Sequence, residues 1–321
     1  MPIRRGARRA FTSDGLVITA ERIGDGPIIH QGMGPSLGDN INGPSLVVRP
    51  DWAPGPGRYM LYFAHHMGRY IRLAFADVLT GPWHIHEPGV LPLAETPFAQ
   101  TPPDVPQPQW AVDLGVDGLY PHLASPDVHV DDESQCFTMW VHGLADHGEQ
   151  ETYRACSVNG LDWTIIGPAI HQTYIRAFRH GARWWAIGHG GQAMALTDDE
   201  TILGAYLLGP NVRHCGVWVA GDRLHIFYTR IGDAPERILH RSFVLGRDME
   251  DWAPLSDEVE VLRPERAWEG AELPVRPSII GATALAHELR DPFIFEDNGA
   301  IYMIYAGGGE AALGLARLTG L

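Results

Sequence analysis

Apolar residues along this chain fall into short runs bounded by glycine, proline, asparagine and aspartate, the pattern of strands joined by tight turns. Five stretches share one plan: a polar or charged lead-in, an apolar strand, a turn with Asp or Gly, and a second strand rich in Tyr, Trp, Ile and Met. They are NGPSLVVRPDWAPGPGRYMLYFAHH from Asn42, ASPDVHVDDESQCFTMWVHG from Ala124, YIRAFRHGARWWAIGHGG from Tyr174, VRHCGVWVAGDRLHIFYTRIG from Val212 and RDPFIFEDNGAIYMIYAGG from Arg290. Several continue into a third strand and a polar closing segment with tryptophan, as in YIRLAFADVLTGPWHIHEPG and YRACSVNGLDWTIIG. Repeated antiparallel hairpins of this kind predict the blades of an all-β, five-bladed β-propeller. No internal boundary interrupts the repeat, so residues 1–321 are expected to form a single propeller domain. The longest insertion, from Leu91 to Pro121, is proline-rich and aperiodic, and reads as a surface loop or an arm over a site. Near the start, GLVITAERIG is the strand expected to close the ring against the last blade.

Composition narrows the function classes. The 321 residues carry 45% apolar side chains, 37 glycines and 25 prolines, a turn-rich globular composition. The net charge is −15, from 39 acidic against 24 basic residues, and every basic one is arginine. A nucleic-acid partner is disfavoured because phosphate binding wants a positive surface. Without lysine, Schiff-base and lysine-nucleophile chemistry are excluded. Cys136, Cys156 and Cys215 have no CxxC spacing, which points to a reducing compartment, against a zinc cluster, and to a cytoplasmic location. The basic start MPIRRGARRAFTSDG is not followed by an apolar segment. No run of about 18 apolar residues occurs, so no membrane partner is expected.

The stretch RDPFIFEDNGAIYMIYAG resembles the blade opening DP-x-x-F-x-D-x-G-x-Y-Y-L-x-Y of the five-bladed β-propeller glycoside hydrolases. That group spans the arabinanase and xylosidase type with its fructosidase and mannoside-phosphorylase relatives. SPDVHVDDE and GPSLVV match more loosely. The resemblance implies that the innermost strand of each blade faces a central funnel. Five lead-ins would then meet at one mouth: Asn40 to Gly43, His122 to Asp127, Tyr174 to Arg179, Asn211 to His214, and Arg290 with Asp291. It also implies glycoside chemistry with an aspartate base in the first blade, a second aspartate that orients and tunes, and a glutamate acid. This chain departs from that pattern, because Gly43 stands where the first-blade aspartate would fall.

Glycosidic cleavage usually needs two carboxyl groups, so the remaining acids become candidates. Asp39 is the nearest carboxylate to the vacant slot, though it lies in a glycine-rich turn. Asp127 sits two residues beyond the serine of SPD, which keeps the same strand face; its plainer role is to bind a neighbouring backbone amide. Glu236, in GDAPERILHRS, is the first candidate acid, with a salt bridge to Arg237 as its plainer role. Glu269 and Glu272 in WEGAELP are further candidates. Asp291 matches the motif best and has Arg290 beside it.

His66 and His214 are candidate proton carriers near neutral pH. His65, Arg72, His122, Arg176, Arg179, Arg213, Arg237 and Arg290 are candidate ligand contacts, and together they suggest an anionic group such as a uronate carboxylate. A metal ion in the central channel is the competing use of His65, His66, His122, His214 and Asp127; otherwise no cofactor is expected. HIH at His84 to His86 falls at an outer turn, and GHGGQ and AGGGE read as turns rather than phosphate loops. The expected function is a glycoside hydrolase-like enzyme for a small, anionic saccharide. The alternatives are a lyase or biosynthetic enzyme with an Arg and His pocket for a carboxylated substrate, and a non-catalytic sugar-binding propeller.

Overall fold

The structure is a computed structural model that describes residues 8–11, 17–113, 119–197, 200–281 and 285–321. Five antiparallel sheets form five blades, and in the first four the strands run in chain order from the inside outwards. Blade one contains Asn42–Val48, Tyr59–Ala64, Tyr70–Ala76 and His84–Pro92. Blade two contains Leu123–Asp131, Cys136–Leu144, Gln150–Ser157 and Thr164–Ile170. Blade three is built from Arg176–His180, Arg183–Ile187, Gln192–Leu196 and Thr201–Tyr206. Blade four has Val212–Ala220, Arg223–Arg230 and Ile238–Val244, with Ala253–Pro254 and Val259–Leu262 sharing its outer edge.

Blade five joins the two ends of the chain. Its inner strands are Leu289–Asp297, Ala300–Gly307 and Ala312–Thr319. Val17–Arg22 then pairs antiparallel with Ala312–Thr319, and Arg8–Phe11 adds to its outside. GLVITAERIG therefore supplies the closing strand expected of it, over residues 17–22. Arg22 is fixed there by Glu269 at 2.7 Å, which also accepts the Tyr305 hydroxyl at 2.8 Å.

Five apolar seams hold neighbouring blades together. Leu73, Val128, Phe137 and Met139 fill the seam between blades one and two, and Trp140, Ile175 and Met194 the one between two and three. Phe178, Trp185, Val212 and Tyr228 join blades three and four. Phe227, Ile294 and Met303 join four to five, and Leu46, Leu61, Phe293 and Ile304 close five onto one. This is why the middle strands, such as YMLYFA at Tyr59–Ala64, are buried on both faces and read as unbroken apolar runs.

A second set of contacts ties the inner strands. Ser45 Oγ accepts the Val128 N–H at 2.8 Å, and Asp127 Oδ2 accepts the Ala177 N–H at 2.7 Å. Asp291 Oδ2 accepts the Gly43 N–H at 3.1 Å. Each bond runs from one blade to the next around the ring, so these side chains fix the angle between blades. Within the stretch 91–121 lie a 3₁₀ turn at Leu93–Glu95 and a short helix at Gln109–Asp113. Residues 114–118 of that stretch, and 1–7 and 12–16 of the basic start, lie outside the described residues. Among the described residues, no helix is long and apolar enough to cross a membrane.

Candidate functional site

A cavity of about 390 Å³ opens at one mouth of the ring. Its wall includes His66, Tyr120, Gln150, Tyr174, His189, Arg213 and His214. The mouth is formed where inner strands begin, because those of blades one, two, four and five open with a distortion of their pairing. Pairing skips two residues between Asn42 and Ser45, between Ala124 and Asp127, and between Arg290 and Phe293. Within these bulges Gly43, Ser125 and Asp291 adopt left-handed φ of 55°, 46° and 49°. Bulges with such backbone re-aim a side chain out of the sheet.

Gly43 shows how tightly that ring is packed. A Cβ at this position would lie 2.9 Å from the Ser125 Cα, a backbone atom that cannot step aside. The expected first-blade aspartate is thus absent from the sequence and also excluded by the fold.

Two histidine–carboxylate pairs flank the cavity. His66 Nδ1 lies 3.1 Å from Glu310 Oε2. The same oxygen accepts from Asn40 Nδ2 at 2.7 Å and Asn42 Nδ2 at 2.9 Å, and Glu310 Oε1 accepts from Arg290 at 3.0 Å. Burial pushes the Glu310 carboxyl up, but His66, Arg290 and the Asn42 amide outweigh it and hold the group well below the usual carboxylate range. With Nδ1 engaged by an ionised carboxylate, His66 keeps Nε2 for a ligand.

His214 Nδ1 meets an oxygen of Asp291. Burial, with Arg213 adding to it, keeps this imidazole far below its ordinary pKa, so it is neutral at physiological pH. His142, whose ring nitrogens have no hydrogen-bond partner among the described residues, is likewise held neutral by burial and by His122. His122 is pushed down to about 4 by burial.

Beneath the cavity lies a buried charge network. Arg290 contacts Glu288 at 2.6 Å, Glu310 at 3.0 Å and Glu236 at 3.4 Å. Glu236 also holds Arg213 at 2.8 Å and accepts the Thr229 hydroxyl at 2.6 Å. Its partners are therefore Arg213 and Arg290, whereas Arg237 pairs away from the funnel with Asp233 at 2.8 Å and Glu260 at 3.0 Å.

The remaining sequence candidates divide between support and surface. Asp127 is buried between the Ala177 N–H, His129 at 2.9 Å and Arg176 at 3.5 Å. Burial raises its carboxyl, and His129 and Arg176 more than reverse that. Arg176 staples the ring by donating to the carbonyls of Pro126 at 2.7 Å and Pro44 at 3.2 Å. Arg72 braces the loop before blade one through the carbonyls of Ser36 and Asn40. His65 sits near exposed Asp39 at 3.4 Å, and His122 Nδ1 bonds the Tyr120 carbonyl at 2.9 Å. Arg179 is exposed over the Trp184 ring. Glu269 belongs to the closing-strand clamp, and Glu272 is exposed. Of the candidates, His66, His214 and Arg213 reach the cavity wall, with Asp291, Glu236 and Arg290 directly behind it. Among the described residues, no three His, Cys, Asp or Glu side chains converge as metal ligands.

Two site residues escaped the sequence reading, and a third was placed without a role. Glu310 and His189 lie in the glycine-rich turns AGGGE and GHGGQ, where composition suggested turns alone. Tyr174 opens the third lead-in, which the sequence placed at the mouth, but it was not singled out as a site residue. The two turns sit one strand away from the inner strand, and a repeat alignment that tracked polar residues in that turn would have found them.

A five-bladed ring with a polar funnel is the fold of the propeller glycoside hydrolases. The chain superposes on a structure from the GH130 family of mannoside phosphorylases, a family described as containing glycoside hydrolases that target β-1,2 mannosidic linkages in Candida mannan, with TM-score 0.62 and 12% identity over 99% of this chain and 95% of that one. It matches a GH43 enzyme from Xanthomonas citri with TM-score 0.56 and 10% identity over 92% and 89% of the two chains. The catalytic domain of a GH62 α-L-arabinofuranosidase from Coprinopsis cinerea gives TM-score 0.54 and 12% identity over 94% and 98%. No protein-family model matches the sequence. In sequence, the chain belongs to the family of uncharacterized protein R118 of Acanthamoeba polyphaga mimivirus, with 31% identity over 309 residues, 87% of this chain and 83% of that protein.

Proposed function

We propose that the protein is an enzyme that cleaves a small, anionic glycoside in the funnel cavity, with His66 as the base in place of a carboxylate and the proton donor on the facing wall that His214 and Asp291 support. The observation that carries this reading is that two histidines line one cavity from blades one and four, which are not neighbours in the ring, His66 bonded at Nδ1 to the buried Glu310 and His214 lying against the buried Asp291. On His66 the carboxylate at Nδ1 fixes the tautomer and stabilises the imidazolium that forms on proton uptake, so its Nε2 can serve as a base. On the His66 side this group is placed to take the proton of an attacking water; the other wall supplies the proton for the leaving oxygen. Arg213, fixed by Glu236, supports recognition of an anionic group such as a uronate.

The two-carboxylate mechanism has less support, because Asp127, Glu236 and Asp291 are all buried in ion pairs or inter-blade bonds. The same observation favours a second reading, elimination from a uronide, in which histidine removes a carbon-bound proton beside the carboxylate. Assays of aryl glycosides and aryl uronides separate the two, since hydrolysis incorporates heavy oxygen from labelled water and elimination yields an ultraviolet-absorbing unsaturated product. His66→Gln should lower kcat by about 10²–10⁴-fold, the usual worth of a general acid or base. Unchanged turnover in both His66→Gln and His214→Gln would remove the histidines from the mechanism.

A further inference from the structure

A left-handed residue at the same register recurs in blade three, where the inner strand pairs without a bulge and the residue is bulky. Inter-blade clamps give the register. Val128, the donor to Ser45, lies three residues after Ser125, and Ala177, the donor to Asp127, lies three residues after Tyr174. Tyr174 thus occupies in blade three the position that Gly43, Ser125 and Asp291 occupy in blades one, two and five, and its φ is 53°. Left-handed backbone is uncommon for a bulky residue and collects at functional sites, where the surroundings hold it in place.

Those surroundings are imidazoles. The Tyr174 ring lies 4.3 Å from that of His142 and 4.0 Å from that of His214, centroid to centroid, with His189 at 5.5 Å. Its faces and edges are taken, yet it lines the cavity and is half-buried, and its hydroxyl makes no hydrogen bond to a described residue. A phenol positioned so firmly and left without a hydrogen-bond partner among the described residues is complementary to a ligand oxygen.

Resting on the glycoside reading above, we infer that Tyr174 is the proton donor to the leaving oxygen, on the wall that His214 and Asp291 support. The step balances with water as co-reactant. Water attacks the anomeric carbon and gives a proton to His66 Nε2, the bond from that carbon to the leaving oxygen breaks, and the phenolic proton passes to that oxygen. The proton on His66 then returns to the phenolate through solvent. Burial raises the Tyr174 pKa, which keeps the donor protonated before each turnover. The same position in blade one cannot carry a side chain, so the chain places its slot-borne proton carrier in blade three instead.

The test compares methyl and dinitrophenyl glycuronides of one sugar, because a good leaving group needs no proton. Tyr174→Phe keeps the ring packed against its histidines. It should slow the methyl substrate by about 10²–10⁴-fold and leave the dinitrophenyl substrate within about tenfold of the unmodified protein. His66→Gln should slow both alike. Equal loss on both substrates in Tyr174→Phe, or no loss on either, overturns the assignment, and so does a leaving-group dependence that appears in His66→Gln instead. If the unmodified protein cleaves neither substrate, the glycoside reading falls and takes this assignment with it. If His66→Gln is impaired while Tyr174→Phe is not, only this assignment fails.

Discussion

Restoring an aspartate at position 43 would not restore the base that the propeller glycosidases lead one to expect. Gly43→Asp puts a Cβ against the Ser125 backbone and asks a non-glycine residue to hold φ near 55°. We expect a loss of about 1–3 kcal/mol in stability, read as a lower denaturant midpoint, and no gain in glycoside turnover. A stable, more active Gly43→Asp protein would refute the packing argument. At this scale the sequence was partly legible. Asp291 and Glu236 stand out beside charged neighbours, and they do lie behind the cavity, but their partners come from other blades. Glu310 contacts His66 across a sequence separation of 244 residues, so no local pattern announces the pair.

Among the elements, the polar side chains that open the inner strands act as hinges between blades. Asp127 is the strongest instance, since it satisfies the Ala177 N–H and faces Arg176 and His129 in a buried setting. Asp127→Ala should destabilise the fold by about 3–5 kcal/mol, because it leaves the buried Arg176 charge without its carboxylate and the Ala177 amide without its acceptor. Ser45→Ala, which removes a neutral bond to Val128, should cost about 1 kcal/mol. Thermal or denaturant unfolding checks the ratio, and equal effects would mean that Asp127 is not the clamp described here. Strand hairpins and the closing strand were legible because alternation and turn chemistry are local. The left-handed positions were legible only in part, since Gly43, Ser125 and Asp291 each precede a proline whereas Tyr174 does not.

For the whole molecule, buried neutral histidines set the response to acid. His122 is pushed down to about 4 and His240 to about 3 by burial, and His142 and His214 lie well below their ordinary value. Unfolded, each titrates near 6.5, so between that pH and the folded value the unfolded chain binds more protons. Stability is therefore full above about pH 6.5 and falls as pH drops, by roughly 1.4 kcal/mol per pH unit for each such histidine. Glu288, raised by burial, opposes this, whereas Asp127 and Glu310 add to the loss at lower pH. Tm should decline steadily from pH 6.5 to 4.5, and a flat profile would show that these imidazoles are hydrated in the folded protein.

The central claim is that the funnel cavity binds a saccharide between His66 and Tyr174. A crystal structure with a bound uronic acid monosaccharide tests it most directly. We expect the ring in the cavity, its anomeric oxygen within about 3 Å of the Tyr174 hydroxyl and its carboxylate beside Arg213. A sugar found instead in the hollow of about 350 Å³ between blades two and three, beside Trp140 and Trp184, would contradict the account.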